Sequence, residues 1–480
     1  MKIKPLSPVR PKPWALLEPG QRQLGVRTLN GSSLFRGRRA VEGALDKLKG
    51  FVCYVNSGLE RLKFTTGATS WTLSTWHNRE TRMTHDGSGV SVSSLRGSLD
   101  DSADPLADLA TFMAWLQDYG VAPGGLSSMS WNLLRASLST TVQVGVDPEI
   151  SRPAFFGGRQ AIDHPGTFFD YQLIDKVAAY PTAMAARPVA LSLHSVSHDT
   201  WLDPDVSGLA RARVVVPADC PYPPLPVRVG VDTIQFQWGV LEGTWPWVEL
   251  AHAIELGCEV DVLECWAPSR QMDLFFNWWL MARTGRDLPG AAGKIAKPLA
   301  NCLWGQFAML GTEQAEVRWV DDAGQESYYV TLPERRLPHE WVRHIACEIP
   351  ARVRNDLSRA LYETGARAAH IDTDGIVVVA GTPLPRNAGP DHGQWRVKEQ
   401  MIELEVRAPQ FYRFKRPGNP LWHYVASGMN EGQAAETFRR VQRCTTISYL
   451  GVPDMCLPDG LSFDVTGNER LYQEARMLRT

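Results

Sequence analysis

Residues 368–380 read AAHIDTDGIVVVA, two apolar stretches on either side of Asp372-Thr373-Asp374-Gly375. Asp followed by Gly is a strong hairpin-turn pair, so the segment predicts a β-hairpin with Asp372 and Asp374 on adjacent pleats at its tip. A solvated turn accounts for the same residues. Two carboxylates between strands this apolar also suit a hard divalent cation, which takes oxygen ligands.

Upstream, TFFDYQLID alternates in side-chain character and predicts a strand that delivers Asp175 at its C-terminal end. The chain then turns, and Tyr180-Pro181 opens a short helix with Pro in its first turn. Taken alone, an exposed acid at a strand end is the simpler account of Asp175. Between these two stretches lies GKIAKPLANCLWGQFA, residues 293–308. Its Lys294, Lys297, Asn301, Trp304 and Ala308 recur on one helical face. Two ammonium groups and an amide suit a phosphate-bearing anion, and a solvated basic face fits equally well.

The chain has 480 residues, a prior of roughly three domains. Hydrophobic residues at 44% and charged residues at 21% exclude a disordered chain. Fifty basic and 52 acidic side chains leave a net charge of −2, which argues against a wholly basic nucleic-acid coat but permits a basic groove beside an acidic site. Eight scattered cysteines form no CxxC pair and read as reduced thiols. No apolar run is long enough for a membrane span, and the basic, proline-rich start is not a secretory signal, so no membrane partner is expected. The Ser, Gly and Asp of residues 82–106 predict a loop or linker, LADLATFMAWLQDYG a helix, and Pro153 to Pro165 a domain hinge. Beyond the hinge, an α+β domain with a largely antiparallel sheet is expected.

In order along the chain, the three stretches resemble the three polymerase motifs of family B DNA polymerases. The first is Asp175, four residues, then Tyr180-Pro181; the second is Lys297, Asn301 and Trp304-Gly305; the third is Asp372-Thr373-Asp374. Motif spacing is most similar to the protein-primed phage and linear-plasmid branch. Phe155-Phe156-Gly157-Gly158 resembles that branch's aromatic-x-Gly-Gly motif, and Gln410-Phe411-Tyr412 its basic-x-Tyr motif. The resemblance spans about residues 150–430. It implies a right-hand polymerase fold: a reduced N-terminal α/β domain (1–150), palm with an insertion (151–265), helical fingers (266–310), palm again (311–405) and thumb (406–480).

The resemblance also implies roles. Asp175, Asp374 and Asp372, with the Lys176 carbonyl, would hold two Mg²⁺ ions, Mn²⁺ being a substitute. Lys297, Lys294 and Arg283 would neutralise a dNTP, Asn301 and Trp304 would line the base-pair pocket, and Tyr180 would be the gate against the 2′-hydroxyl. Phe155, Gly157, Gly158, Gln410, Tyr412, Arg439 and Arg440 would contact primer-template DNA, with Arg407, Arg413, Lys415, Arg416 and Arg443 on the thumb. A terminal protein or other replication proteins are further expected partners, and the cytoplasm, a bacterial host's for a phage protein, is the expected location.

Several positions depart from the pattern. Ala178-Ala179 replace Ser-Leu, Trp304 replaces Tyr, Cys302 replaces Ser, Gly375 replaces Ser, His370 replaces Tyr and Gln410 replaces Lys. Pro298, directly after Lys297, implies either a helix start or a kink. Family members carry a 3′–5′ exonuclease with Asp-x-Glu on a first strand. The strand FVCYVNSG holds no acid, and no Asp-x-Glu is read in residues 1–150, so no proofreading is expected, the domain being a shortened, inactive remnant or an unrelated one that lines the template path. Arg36, Arg38 and Arg39 would contact template phosphates or form a solvated basic stretch. The lost nuclease motif motivates an alternative function, a catalytically impaired DNA-binding replication scaffold. An enzyme that takes RNA, or an unusual template, is a third.

Overall fold

A computed structural model describes residues 98–145, 149–151, 153–229, 233–307, 342–426 and 431–440, with shorter strand segments within 2–95, 317–320 and 326–329. Near the N-terminus, β1 (Trp14–Gly20), β2 (Gln23–Thr28), β3 (Gly31–Arg36), β4 (Val52–Val55), β5 (Thr81–Met83) and β6 (Val90–Ser94) form one mixed sheet in the order β3-β2-β1-β4-β6-β5. β1–β4 and β4–β6 are parallel, and the other pairs are antiparallel. The central strand β1 buries Ala15, Leu16 and Leu17, a continuous apolar run suited to a sheet covered on both faces.

Residues 98–104, expected as loop, end in a helix cap. The Asp104 carboxylate accepts from Leu106 and Ala107 N–H at 3.2 Å and starts α1 (Pro105–Asp118), with Pro at its first position. Leu109, Phe112, Met113 and Leu116 face inward together with Leu126, Met129, Leu133 and Leu134 of α2 (Leu126–Ala136). Both helices share one apolar core with residues 274–307, so packing is continuous across the expected boundary at 150.

The Pro153–Pro165 segment is part of a sheet rather than a hinge. It contains β7 (Arg159–Ile162), followed by β8 (Gly166–Lys176) and α3 (Ala179–Ala185). A four-stranded antiparallel insertion then forms from β9 (Val189–Val196), β10 (Leu209–Val216), β11 (Gly239–Pro246) and β12 (Glu259–Met272), with α4 (Trp247–Glu255) packed on it. The helices α5 (Phe276–Arg286), α6 (Gly290–Asn301) and α7 (Leu303–Gln306) follow. The long helix α8 (Arg343–Thr364) ends at Gly365, whose φ of +60° provides the left-handed cap.

The chain closes with β13 (His370–Thr373), β14 (Gly375–Val379), β15 (Trp395–Ala408), β16 (Phe411–Lys415), β17 (Trp422–Ala426) and α9 (Glu431–Arg440). Seven strands form the principal sheet in the order β7-β13-β14-β8-β15-β16-β17, antiparallel throughout as expected. Ile376 and Val378 of β14 face one core with Leu357 and Leu361 of α8, while Val377 joins another with Met401, Leu404 and Tyr412. Burial on both faces explains the apolar run from Ile376 to Val378; Val379 is exposed.

Candidate active site

Sheet register brings the three aspartates together. Asp175, next to last in β8, stands opposite Gly375 of β14 and Arg396 of β15. The Lys176 N–H donates to the Asp374 carbonyl at 3.0 Å, so the strand end and the hairpin tip are stitched to each other. The turn differs from the expected Asp-Gly pair. Thr373 has a φ of +59°, and the Asp374 N–H donates to the Asp372 carbonyl at 2.5 Å, the i→i+2 bond of a γ-turn. A β-branched residue in that region costs about 1–3 kcal/mol, strain that the surrounding sheet must sustain. Gly375 instead begins β14. A Cβ there would lie 3.1 Å from the Ile174 carbonyl oxygen and 3.4 Å from Asp175 Cβ, so the family's Ser would crowd β8.

The carboxylates differ in their partners. Burial pushes the Asp374 carboxyl up to about 6; the negative charges of Asp372 and Asp175 add to this, while Lys398 and Lys297 oppose it. Asp175 is paired on both oxygens, with Arg396 Nε at 3.2 Å and Lys398 Nζ at 3.0 Å. Asp372 accepts from Gln410 Nε2 at 2.5 Å. Among the described residues, no three His, Cys, Asp or Glu side chains are grouped so as to hold a metal ion. Asp175 and Asp374 are the carboxylates that could serve an ion completed by substrate phosphates, as Mg²⁺ usually is, while Asp372 turns toward Gln410. The Lys176 ammonium points away, to Asp356 at 2.5 Å.

A strap covers the hairpin tip. A Cβ on Gly158 would lie 2.5 Å from Thr373 Cγ2 and 2.8 Å from the Tyr180 hydroxyl, so only glycine fits there, whereas Gly157 has open space. The fully buried Arg354 of α8 fixes this strap. Its Nη1 donates to the carbonyls of Phe156 (2.9 Å) and Gly157 (2.6 Å), and its fork pairs with Glu249 at 2.7 and 2.8 Å. Tyr180 is buried and stacks on Trp304, centroids 5.2 Å apart and planes 16° apart, with Phe155 at 6.1 Å from Trp304. Burial and then Asp374 raise the Tyr180 hydroxyl, keeping it neutral. Beside this stack, Asn301 leaves a buried Oδ1 without a partner, free to meet a ligand donor.

The expected row of phosphate-binding cations divides. α6 starts at Gly290, runs through Pro298 and breaks at Cys302, so the helix does not begin at Lys297. Lys297 lies within the field of the carboxylates: burial lowers its pKa, as do Lys398 and Arg286, while Asp374 and Asp175 raise it. Lys294 pairs instead with Asp101 at 2.7 Å, and Arg283 approaches Asp287 at 3.9 Å. A further cation on which Asp374 acts is Arg286. Burial lowers its pKa, Asp374 is among the charges acting on it, and its Nε and Nη1 are buried without partners. Gly293 lets its turn pack closely, since a Cβ there would lie 2.9 Å from the Arg286 carbonyl oxygen. Sequence reading passed over Arg286, Lys398, Arg396 and Arg354. The one available signal was Arg396-Val397-Lys398, two cations on one strand face directly after Trp395.

Downstream, Gln410 touches the site directly, through Asp372, and its N–H donates to His370 Nε2 at 3.0 Å. Tyr412 is 4% exposed and packs on His370 with centroids 5.0 Å apart, so its ring supports the hairpin from below. Arg407 and Arg413 pair with Glu405, Lys415 with Glu403 and Arg416 with Glu399. These four ion pairs run along β15, β16 and the residue after it, so each of these expected phosphate-contacting cations also has a carboxylate partner. Arg439 is exposed on α9, while the Arg440 side chain, Arg443, Arg38, Arg39, Ala308 and most of 309–345 lie outside the described residues.

The sheet strand nearest the N-terminal domain's start is β1, not FVCYVNSG, and its single acid, Glu18, pairs with Arg27 at 3.1 Å. One Asp-x-Glu string does occur in the first 150 residues, Asp147-Pro148-Glu149, but it lies past the sheet. Glu149 opens a 3₁₀ turn, and Asp147 is outside the described residues.

Among solved structures, the chain is similar to Phi29 DNA polymerase complexed with primer-template DNA, with a TM-score of 0.61 at 13% identity over 89% of this chain and 95% of that one. The same polymerase with primer-template DNA and incoming nucleotide substrates gives 0.61 at 12% identity over 90% and 95%. Its complex with single-stranded DNA gives 0.59 at 13% over 89% and 95%. The chain therefore has the fold of that DNA polymerase. No protein-family model and no curated protein sequence matches it.

Proposed function

We propose that this protein is a template-directed DNA polymerase of family B, which joins dNTPs to a primer 3′-hydroxyl and lacks proofreading. The observation that carries this reading is the meeting of the strand end at Asp175 with the Asp374 turn, whose charge acts on Lys297, Arg286 and the stacked Tyr180. Divalent ions held by Asp175 and Asp374, Mg²⁺ or Mn²⁺, would activate the attacking oxygen and steady the leaving pyrophosphate. Lys297 and Arg286 would hold the triphosphate and offset its charge. Asn301 and Trp304 would bound the nascent base pair. Tyr180, held rigid by stacking and by Gly158, would exclude a 2′-hydroxyl. A match over 89% of the chain takes in most of the first 150 residues, so an N-terminal domain without an Asp-x-Glu on its described strands would line the template path.

The test is primer extension with dNTPs and Mg²⁺, wild type against Asp374→Ala. Extension by the wild type and none by the variant is expected. A second reading, a DNA-binding replication scaffold, is favoured by the pairing of Asp175 with Arg396 and Lys398. DNA binding by both proteins with extension by neither would establish it. Replacing dNTPs by rNTPs with Tyr180→Ala tests the gate, and unprimed templates test for a terminal protein.

A further inference from the structure

We propose that Lys398, assisted by Arg396, is a built-in counter-cation of the carboxylate site: a positioning residue that holds Asp175 until divalent ions displace it. The proposal rests on the reading of Asp175 and Asp374 as metal ligands.

Three observations support it. The pairing of β8 with β15 steps from Leu173–Glu399 to Ile174–Val397, so Lys398 is the extra residue of a β-bulge. Bulges re-aim side chains beside active sites, and this one lies within two residues of the strand end that carries Asp175. Next, the two oxygens of Asp175 are shared out, Oδ1 to Arg396 and Oδ2 to Lys398, so both positions a divalent ion would use are already neutralised. Lys398 is also the largest favourable charge acting on Asp374. Last, burial is lopsided. The Asp175 side chain is 11% exposed, whereas Lys398 is 44% and Arg396 47% exposed. The carboxylate is fixed and the cations stand on the solvent side, free to swing out. Half-exposed pairs contribute little net free energy, so a doubly charged ion can displace them.

Two repelling carboxylates, Asp175 and Asp374, would otherwise stand together beside a strained turn. Lys398 keeps them together, at the cost of raising the metal concentration that the site requires.

The test is direct Mn²⁺ binding by calorimetry, without DNA or nucleotide, on the full chain. Wild type, Lys398→Met, Lys398→Arg and Asp374→Ala are compared. Lys398→Met is expected to bind Mn²⁺ about three- to fivefold more tightly than wild type, the range expected for losing one half-exposed ion pair. Lys398→Arg should stay within about twofold of wild type, since it restores the charge. In metal-free, low-salt buffer Lys398→Met should also unfold at lower temperature, and Mn²⁺ should close that gap. Wild-type binding that Asp374→Ala abolishes, with Lys398→Met equal to or weaker than wild type, would overturn the counter-cation and leave the metal reading standing. No Mn²⁺ binding that depends on Asp374 would overturn both. Should Lys398→Met fail to fold, Arg396→Gln, expected to tighten binding by about twofold, carries the same comparison.

Discussion

Two sheets in this molecule are built alike at their centres and differ at their tips. In the N-terminal sheet, β1 buries Ala15, Leu16 and Leu17, and its one acid, Glu18, is tied to Arg27. In the seven-stranded sheet, the last part of β8 and the β13–β14 hairpin bury Leu173, Ile174, Ile371, Ile376 and Val377, yet lead to Asp175, Asp372 and Asp374. Apolar burial maintains either sheet, so a sheet can persist after its chemistry is gone. Function is decided by a few polar residues at strand ends, where they contribute least to folding.

The sharpest test of that contrast removes one acid from each sheet. Asp175→Ala should lower the primer-extension rate by at least about 10³-fold, some 4 kcal/mol of barrier, while Glu18→Ala stays within about twofold. A comparable loss from Glu18→Ala, or Mg²⁺-dependent release of terminal nucleotides by the wild type, would break the comparison. Second in size is Glu249→Leu, which strands the buried Arg354 guanidinium. Urea unfolding should show about 3–5 kcal/mol of lost stability, because a buried charge is left without its partner. Third is Gly158→Ala, whose new methyl meets Thr373 and Tyr180. Extension should fall by about 10- to 100-fold, since a displacement of about 1 Å at the reacting centre is enough, and unfolding should show about 1–3 kcal/mol of lost stability from the overpacking.

The smallest effect sharpens the contrast through pH. The folded Asp374 carboxyl titrates near 6, above its usual 3.8, so the folded state binds that proton more tightly than the unfolded state. Below the ordinary value both states are protonated and nothing is lost; as pH rises through about 6, the buried charge costs stability. Metal-free Asp374→Asn should therefore be more stable than wild type at pH 8, by about 1–3 kcal/mol, and no more stable at pH 4. Equal thermal unfolding at both pH values would show that Asp374 carries no such penalty.

Much of this was legible in the sequence. The hairpin, the strand ending at Asp175 and the helix after Asp104 follow from local patterns of two and 3.6 residues, fixed by backbone geometry. The order of the short motifs pointed to a polymerase. The γ-turn at Thr373 was not legible, because Asp-Gly is the commoner turn signal and the sheet overrode it. The segment from Pro153 to Pro165 read as a hinge because its prolines mark breaks, yet Arg159–Ile162 lies in register with His370–Thr373.

The sequence by itself determined which segments are strands and helices, and which acids stand at their ends. Only the tertiary structure decided that Lys297 and Arg286 lie within the field of those acids while Lys294 and Arg283 pair with others, and that Lys398 and Arg396 hold Asp175. The physical reason is range. Periodicity is a property of neighbouring residues, whereas a charge chooses its partner by distance in space, and any of 50 cations could have been the one beside Asp175.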